Sequence, residues 1–197
     1  MFEPLTRDYA GYIFDCDGTL ADSMVVHHQA WLAALALHGA SFEFGWELFT
    51  SRAGMSLPKT VEALNEQFGL RLNPEAVTAA QREAYERLLP SVAPIGPVVE
   101  LAQRVARVAP VSVASGGERA VVLRTLELIG LGATFPVVVT AEDVALGKPA
   151  PDMFLLAAER MGVPARECVV FEDSALGMEA ARRAGMAAVL VTPPNVR

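Results

Sequence analysis

At 197 residues the chain has the size of one domain, or of one domain carrying an insertion. Hydrophobic residues make up 52% and charged residues 20%, which supplies a sizeable buried core. A net charge of −7 excludes the basic footprint of a general nucleic-acid binder, so an anionic ligand must be met by a few local cations, backbone N–H groups or a metal.

In chain order, the opening segment MFEPLTRDYAG shows no basic region followed by an apolar one, and no signal peptide is expected. The run AGYIFD (10–15) is short, apolar and non-alternating, as a strand covered on both faces should be. Residues 23–90 then read as helices with no strand between them: SMVVHHQAWLAALALHG, LPKTVEALNEQFG and NPEAVTAAQREAYERLL. The last opens on Asn73-Pro74, a capping residue followed by proline at the first helical position. This block is expected to be an all-helical cap domain. The core is assigned to 1–22 and 91–197, with the proline-rich PSVAPIGP (90–97) marking the return to it.

From there strands and helices alternate. PVSVAS (110–115), PVVVT (136–140), CVVFE (168–172) and AAVLVT (187–192) read as strands. Residues 98–108, 119–130, 151–162 and 174–185 carry apolar side chains at helical spacing, and three of these four segments end at glycine. The economical fold is α/β, a Rossmann-like parallel sheet with helices on both faces. The terminal TPPNVR reads as unstructured. No apolar run reaches the roughly 18 residues of a membrane span. Cys16 and Cys168 lie in apolar runs and read as buried, reduced thiols, so a cytoplasmic location is expected.

In an open parallel sheet, ligands bind at the carboxyl ends of the strands. Asp15, Asp17, Gly18 and Thr19 follow the first strand, and Ser115, Gly116 and Gly117 follow the second. Lys148 lies in GKPAPD, and Glu172, Asp173 and Ser174 end the fourth strand. Taken singly, each has an ordinary reading. The aspartate pair suits a turn, Lys148 a surface position, Ser115 a helix cap and Glu172-Asp173 a helix start. Together they suit phosphoryl transfer. Carboxylates alone repel a phosphate, but a Mg²⁺ ion held by them reverses the sign. Ser115 and the glycine N–H groups, opening a helix, suit phosphate oxygens, and Lys148 adds a point charge. One aspartate can attack phosphorus while a second handles the leaving-group proton. In an extended segment, side chains two apart point the same way, which accounts for the spacing of Asp15 and Asp17.

The segments DCDGTLADS, VASGG, GKPAPDMF and FEDSALGMEAARRAG resemble the four ordered motifs of the haloacid dehalogenase superfamily. The resemblance spans essentially the whole chain, including a helical cap after the first motif. It implies Asp15 as nucleophile and Asp17 as general acid/base, with Ser115 and Lys148 holding the transferring group. It also implies Mg²⁺ bound by Asp15, the Asp17 carbonyl and Asp173, with Glu172 in or near the coordination sphere. Retention of the second aspartate separates phosphotransferases from dehalogenases. The chain is most similar to the branch containing β-phosphoglucomutase and small sugar-phosphate phosphatases, which implies substrates such as fructose-1-phosphate or 6-phosphogluconate.

The mutase-type cap carries an arginine for the substrate's second phosphate, but AGMSLP has Leu57 there. An aliphatic side chain cannot supply that fork, which lowers the mutase alternative unless Arg52 or Lys59 takes over. His27 and Trp31 are four apart and share one helix face; they are expected either to face the substrate or to pack within the cap. His28 and His38 read as surface or packing residues. Arg52, Ser56 and Lys59 are candidates for the substrate's polar end, and Gly116 for its phosphate. The expected partner is a small phosphorylated sugar or sugar acid, with no nucleic acid or membrane, and a monomer is the default state. Two further rivals are a receiver-type signalling domain, whose motif order differs, and a silent sugar-phosphate-binding module.

Overall fold

The structure is a computed structural model, and residues 7–52 and 55–192 are described. Ala53 and Gly54 of the AGMSLP loop lie outside the described residues, as do the first six residues and the last five, which include most of TPPNVR.

The chain divides into two compact units, one formed by Met1–Asp22 with Ala93–Arg197 and the other by Ser23–Val92. In the first unit, five strands form one parallel sheet: β1 (Gly11–Phe14), β2 (Val111–Ala114), β3 (Val137–Val139), β4 (Cys168–Glu172) and β5 (Ala187–Leu190). Their order is β3-β2-β1-β4-β5, with every neighbouring pair parallel. From β1 the chain builds outward through β2 to β3, then returns to the other side of β1 for β4. That reversal opens a crevice outside the carboxyl ends of β1 and β4, where such sheets take their ligands.

The three central strands are buried at every position, which is why their sequences run apolar without alternation. Ile13 and Val170 face a cluster built with Met153, Phe154 and Ala157 of α7 (Asp152–Met161) and Ala180 and Ala181 of α8 (Ala175–Arg183). Phe14, one residue along and so on the opposite face, stacks on Phe171 at 4.9 Å between ring centroids and also meets Phe135. α5 (Gly96–Val105) lies against β1, and α6 (Arg119–Leu128) links β2 to β3. Gly130, Gly162 and Gly185, just past three of these helices, all have positive φ, the backbone state that ends a helix most cheaply as glycine.

The second unit holds α1 (Met24–Leu37), α2 (Trp46–Thr50), α3 (Leu57–Phe68) and α4 (Pro74–Leu88). The Asn73 side chain accepts the Ala76 N–H at 3.1 Å, the cap its sequence announced. Asn65 exchanges two hydrogen bonds with the Leu72 backbone, at 2.8 and 2.9 Å, and so fixes the α3–α4 turn. Trp31, Leu35, Phe44, Phe49, Val61, Leu64 and Val77 form the core of this unit. α2, at five residues, is too short to show a period and was not expected.

Candidate active site

β1 ends at Phe14, and Asp15 extends its ladder by one bond, donating its N–H to the Phe171 carbonyl of β4 at 2.9 Å. The chain then turns: the Cys16 carbonyl accepts from Leu20 and Ala21, both at 2.9 Å. Gly18 has φ +80°, and a Cβ there would collide with the Asp173 carboxylate. Glycine is thus required both by conformation and by the approach of Asp173.

Asp15, Lys148 and Glu172 form one buried cluster. Lys148 Nζ donates to Asp15 Oδ1 at 2.6 Å and to Glu172 Oε2 at 2.7 Å, with side-chain exposures of 4%, 8% and 1% for Lys148, Asp15 and Glu172. Ser174 steadies Glu172 from the far side, its hydroxyl donating to Oε1 at 2.7 Å and its N–H at 3.0 Å. The same Ser174 oxygen accepts the Gly177 N–H at 3.0 Å and so caps α8. A Cβ on Gly177 would collide with the Glu172 carboxyl group, so the glycine inside α8 makes room for it.

Burial pushes Asp15 up to about 8, with the Glu172 charge adding to it and Lys148 opposing. Asp173 is pushed to about 9 by burial and then by Asp15 and Glu172. For Glu172 burial acts in the same direction, but Lys148 and Ser174 outweigh it and the carboxyl falls below its ordinary value. For Lys148 burial favours the neutral amine, and its two carboxylate partners overcome that and raise it. Three carboxyl groups thus share the crevice with one ammonium group. One oxygen each of Asp15, Glu172 and Asp173 lies within 4.8 Å of the others. All-oxygen donors in excess negative charge fit a hard divalent cation, and the cluster can hold one.

Ser115 follows β2, which pairs with β1 in the register Phe14–Val113. Its N–H donates to the Val139 carbonyl at 3.0 Å, and its hydroxyl accepts the Gly117 N–H at 3.1 Å. The expectation that Ser115 opens a helix needs correcting. α6 starts at Arg119, and the Ser115 hydroxyl closes a local turn instead. A Cβ built on Gly117 would stand 3.3 Å from Ser115 Oγ and 3.7 Å from Asp17 Oδ2, so Ser115 and Asp17 flank that glycine. The space beside Gly116 is open. Cys16 lies at a bend just past β1, so the strand does not run on through Asp17 as the two-residue spacing implied.

The candidates of the helical unit have a different setting. His27 stacks on Tyr85 at 4.0 Å between ring centroids. Trp31 is 4% exposed and packs against Phe44 inside the unit's core, the second of the two readings its sequence allowed. His28 is a packing residue, with Nε2 2.8 Å from the Phe44 carbonyl. Arg52 hydrogen-bonds Gln67, and Ser56 and Lys59 are exposed around the start of α3. Both cysteines are buried and free. Sequence reasoning missed the parts of Ser174 and Gly177; the Ser-x-x-Gly spacing right after Glu172-Asp173 was their only trace.

A haloacid dehalogenase-like hydrolase family model matches residues 9–185. The chain is 39% identical over 182 residues to the fructose-1-phosphate phosphatase YqaB of Escherichia coli K12, covering 92% of this chain and 95% of that one. It is 30% identical over 190 residues to hexitol phosphatase A of the same organism, covering 93% and 83%. A crystal structure of a hydrolase from Pseudomonas syringae superposes with a TM-score of 0.81 at 31% identity, covering 91% of this chain and 83% of that one.

Proposed function

The chain belongs to the haloacid dehalogenase-like hydrolase family and is an enzyme of the phosphatase type, and from that premise we propose that it hydrolyses small sugar phosphates through an aspartyl-phosphate on Asp15. The observation that carries the reading is the buried Asp15–Lys148–Glu172 cluster beside Asp173, at the crevice of the sheet. Relatives named for fructose-1-phosphate and hexitol phosphatase activity support the substrate class.

Asp15, Glu172 and Asp173, with the Asp17 backbone carbonyl, would hold Mg²⁺. When bound, the ion neutralises phosphoryl charge and lets an anionic substrate approach carboxylates. Lys148 orients the Asp15 carboxylate through Oδ1 and sets a positive charge beside the transferring group. The Ser115 hydroxyl and the Gly116 N–H would bind phosphoryl oxygens. A carboxylate oxygen of Asp15 attacks phosphorus, the bond from phosphorus to the sugar oxygen breaks, and that oxygen takes a proton from the Asp17 carboxyl group. Asp17, now ionised, accepts a proton from a water as it attacks the aspartyl-phosphate. The bond from phosphorus to the Asp15 oxygen breaks, releasing inorganic phosphate and restoring Asp15.

In this reading the helical unit, residues 23–90, is the cap that sets specificity, with His27, Arg52, Ser56 and Lys59 as its candidates for meeting the sugar. Trp31 would act there mainly by holding the cap's shape, given its place in that unit's core. The enzyme works as a cytoplasmic monomer. Among the described residues no helix is long and apolar enough to cross a membrane.

The test is a panel of sugar phosphates with Mg²⁺, including fructose-1-phosphate, 6-phosphogluconate and β-glucose-1-phosphate, following phosphate release and product identity together. Phosphate release from one or a few members, lost with EDTA, is expected. An isomeric sugar phosphate without free phosphate would move the assignment to a mutase, despite Leu57.

A further inference from the structure

Thr140–Asp143 lies between β3 and Lys148 and belongs to none of the motifs, yet it carries a dense polar network outside the crevice. Asp143 Oδ2 accepts the Thr140 N–H at 2.8 Å and pairs with Arg119, while the Thr140 hydroxyl shares its one proton between Glu142 Oε2 at 2.7 Å and Asp143 Oδ2 at 3.0 Å. Asp143 Oδ1 accepts from Arg160 of α7 at 2.9 Å. Arg119 donates a further bond to the Val138 carbonyl at 3.3 Å. The Arg119 N–H, at the start of α6, points at the Glu142 carboxylate, 3.1 and 3.0 Å from its two oxygens. The Ala141 N–H donates to the Gly117 carbonyl at 3.2 Å.

Exposed ion pairs contribute little, and Arg119 and Arg160 are each 40% exposed. Asp143 differs from such pairs. Its side chain is 13% exposed and gathers donors from three separate segments, and such networks act as a unit. Partial burial works against its charge, but the Thr140 N–H, Arg160, the Thr140 hydroxyl and Arg119 together hold the carboxyl down at about 2. It stays ionised at any working pH.

These segments flank the groups that the proposed mechanism assigns to the phosphoryl, Ser115 and Lys148. Through Arg119, Asp143 grips the residue that follows the Ser115–Glu118 turn. Lys148 lies between Asp143 and α7, and Asp143 holds both ends of that stretch, one by its own backbone and the other through Arg160. We propose that Asp143 is a positioning residue of the reaction, its carboxylate fixing the Ser115–Gly117 turn and the Lys148 segment relative to each other. The proposal rests on Ser115 and Lys148 being the groups that hold the phosphoryl.

The test uses the full chain, with the isosteric Asp143→Asn, the shorter Asp143→Ala and, as a control in an exposed pair of α6, Arg124→Ala. Phosphate release is measured for kcat and KM, and amide hydrogen exchange for residues 115–119, 141–149 and strands β1 and β4. A small misplacement costs the transition state more than the bound substrate, so Asp143→Asn is expected to lower kcat about tenfold or more with KM within about threefold. Exchange is expected to quicken in 115–119 and 141–149 together and to stay unchanged in β1 and β4. Arg124→Ala should match the parent. An unchanged kcat, exchange that quickens everywhere alike, or exchange that moves in only one of the two segments would overturn the positioning role. A parent protein that releases no phosphate from any substrate overturns the phosphatase reading and the positioning role with it. An active parent with a fully active Asp143→Asn variant overturns the positioning role alone.

Discussion

Lys148 and Gly177 show how one residue's chemistry depends on another's space. Lys148 is buried between Asp15 and Glu172, and a buried ion pair with one partner removed leaves an uncompensated charge worth about 3–5 kcal/mol. Lys148→Ala is therefore expected to lose both activity, by several orders of magnitude, and stability. Denaturant unfolding beside steady-state rates checks this, and a mild loss of rate would make Lys148 structural. Asp15→Asn, nearly isosteric, should abolish turnover while the fold persists; full activity in that variant ends the aspartyl-phosphate mechanism. Gly177→Ala strikes the same pair from the other side. Alanine gains about 1 kcal/mol of helix propensity over glycine, yet its methyl group collides with the Glu172 carboxyl group. Glu172 is 1% exposed, and to clear the methyl group it must give up Lys148 and Ser174 inside the protein. The expected outcome is a thermal midpoint lowered by more than a few degrees and a kcat reduced at least about tenfold.

At the scale of elements, what the sequence disclosed was whatever depends on neighbouring residues. β1, β2 and β4 show as unbroken apolar runs because both of their faces are covered, and Gly130, Gly162 and Gly185 mark helix ends because each takes a left-handed backbone. Asn73 announces α4 in the same local way. Its replacement by alanine should cost about 1 kcal/mol of stability, read as a lower urea midpoint at unchanged slope, and an unchanged midpoint would mean the cap is idle. Asp15, Lys148, Glu172 and Asp173 were legible as candidates only as a set, since each alone suits a turn, a surface position or a helix start. Their pairing was not, since Lys148 meets a carboxylate 133 positions away. The role of Asp143 was hidden for the same reason: its partners Arg119 and Arg160 lie 24 and 17 positions away on two different helices. α2 was lost for the opposite cause, being too short to carry a period.

For the molecule as a whole, the balance of charge in the crevice links function to stability. The chain is acidic overall, at −7, and the crevice concentrates that excess where Asp15, Glu172 and Asp173 converge. Folding without a cation must take these carboxyl groups out of water and bring them together against their own repulsion, and the raised values of Asp15 and Asp173 express both costs, burial first. A cation that binds the folded cluster and not the unfolded chain relieves it, and linkage requires the folded state to gain stability as the ion is added. At 100 times the dissociation constant the gain is about 2.7 kcal/mol, or roughly 5–11 °C in midpoint for a chain of this size. Mg²⁺ titrated into EDTA-treated protein should therefore raise the unfolding midpoint in a saturable way, with no substrate present. Asp173→Asn removes a donor without touching the Lys148 pairs. It should start from a midpoint at or above that of the metal-free parent and respond weakly to the ion. A parent midpoint indifferent to millimolar Mg²⁺ would remove the metal from this crevice, and the substrate's phosphate would then have Lys148, Ser115 and backbone N–H groups alone to meet it.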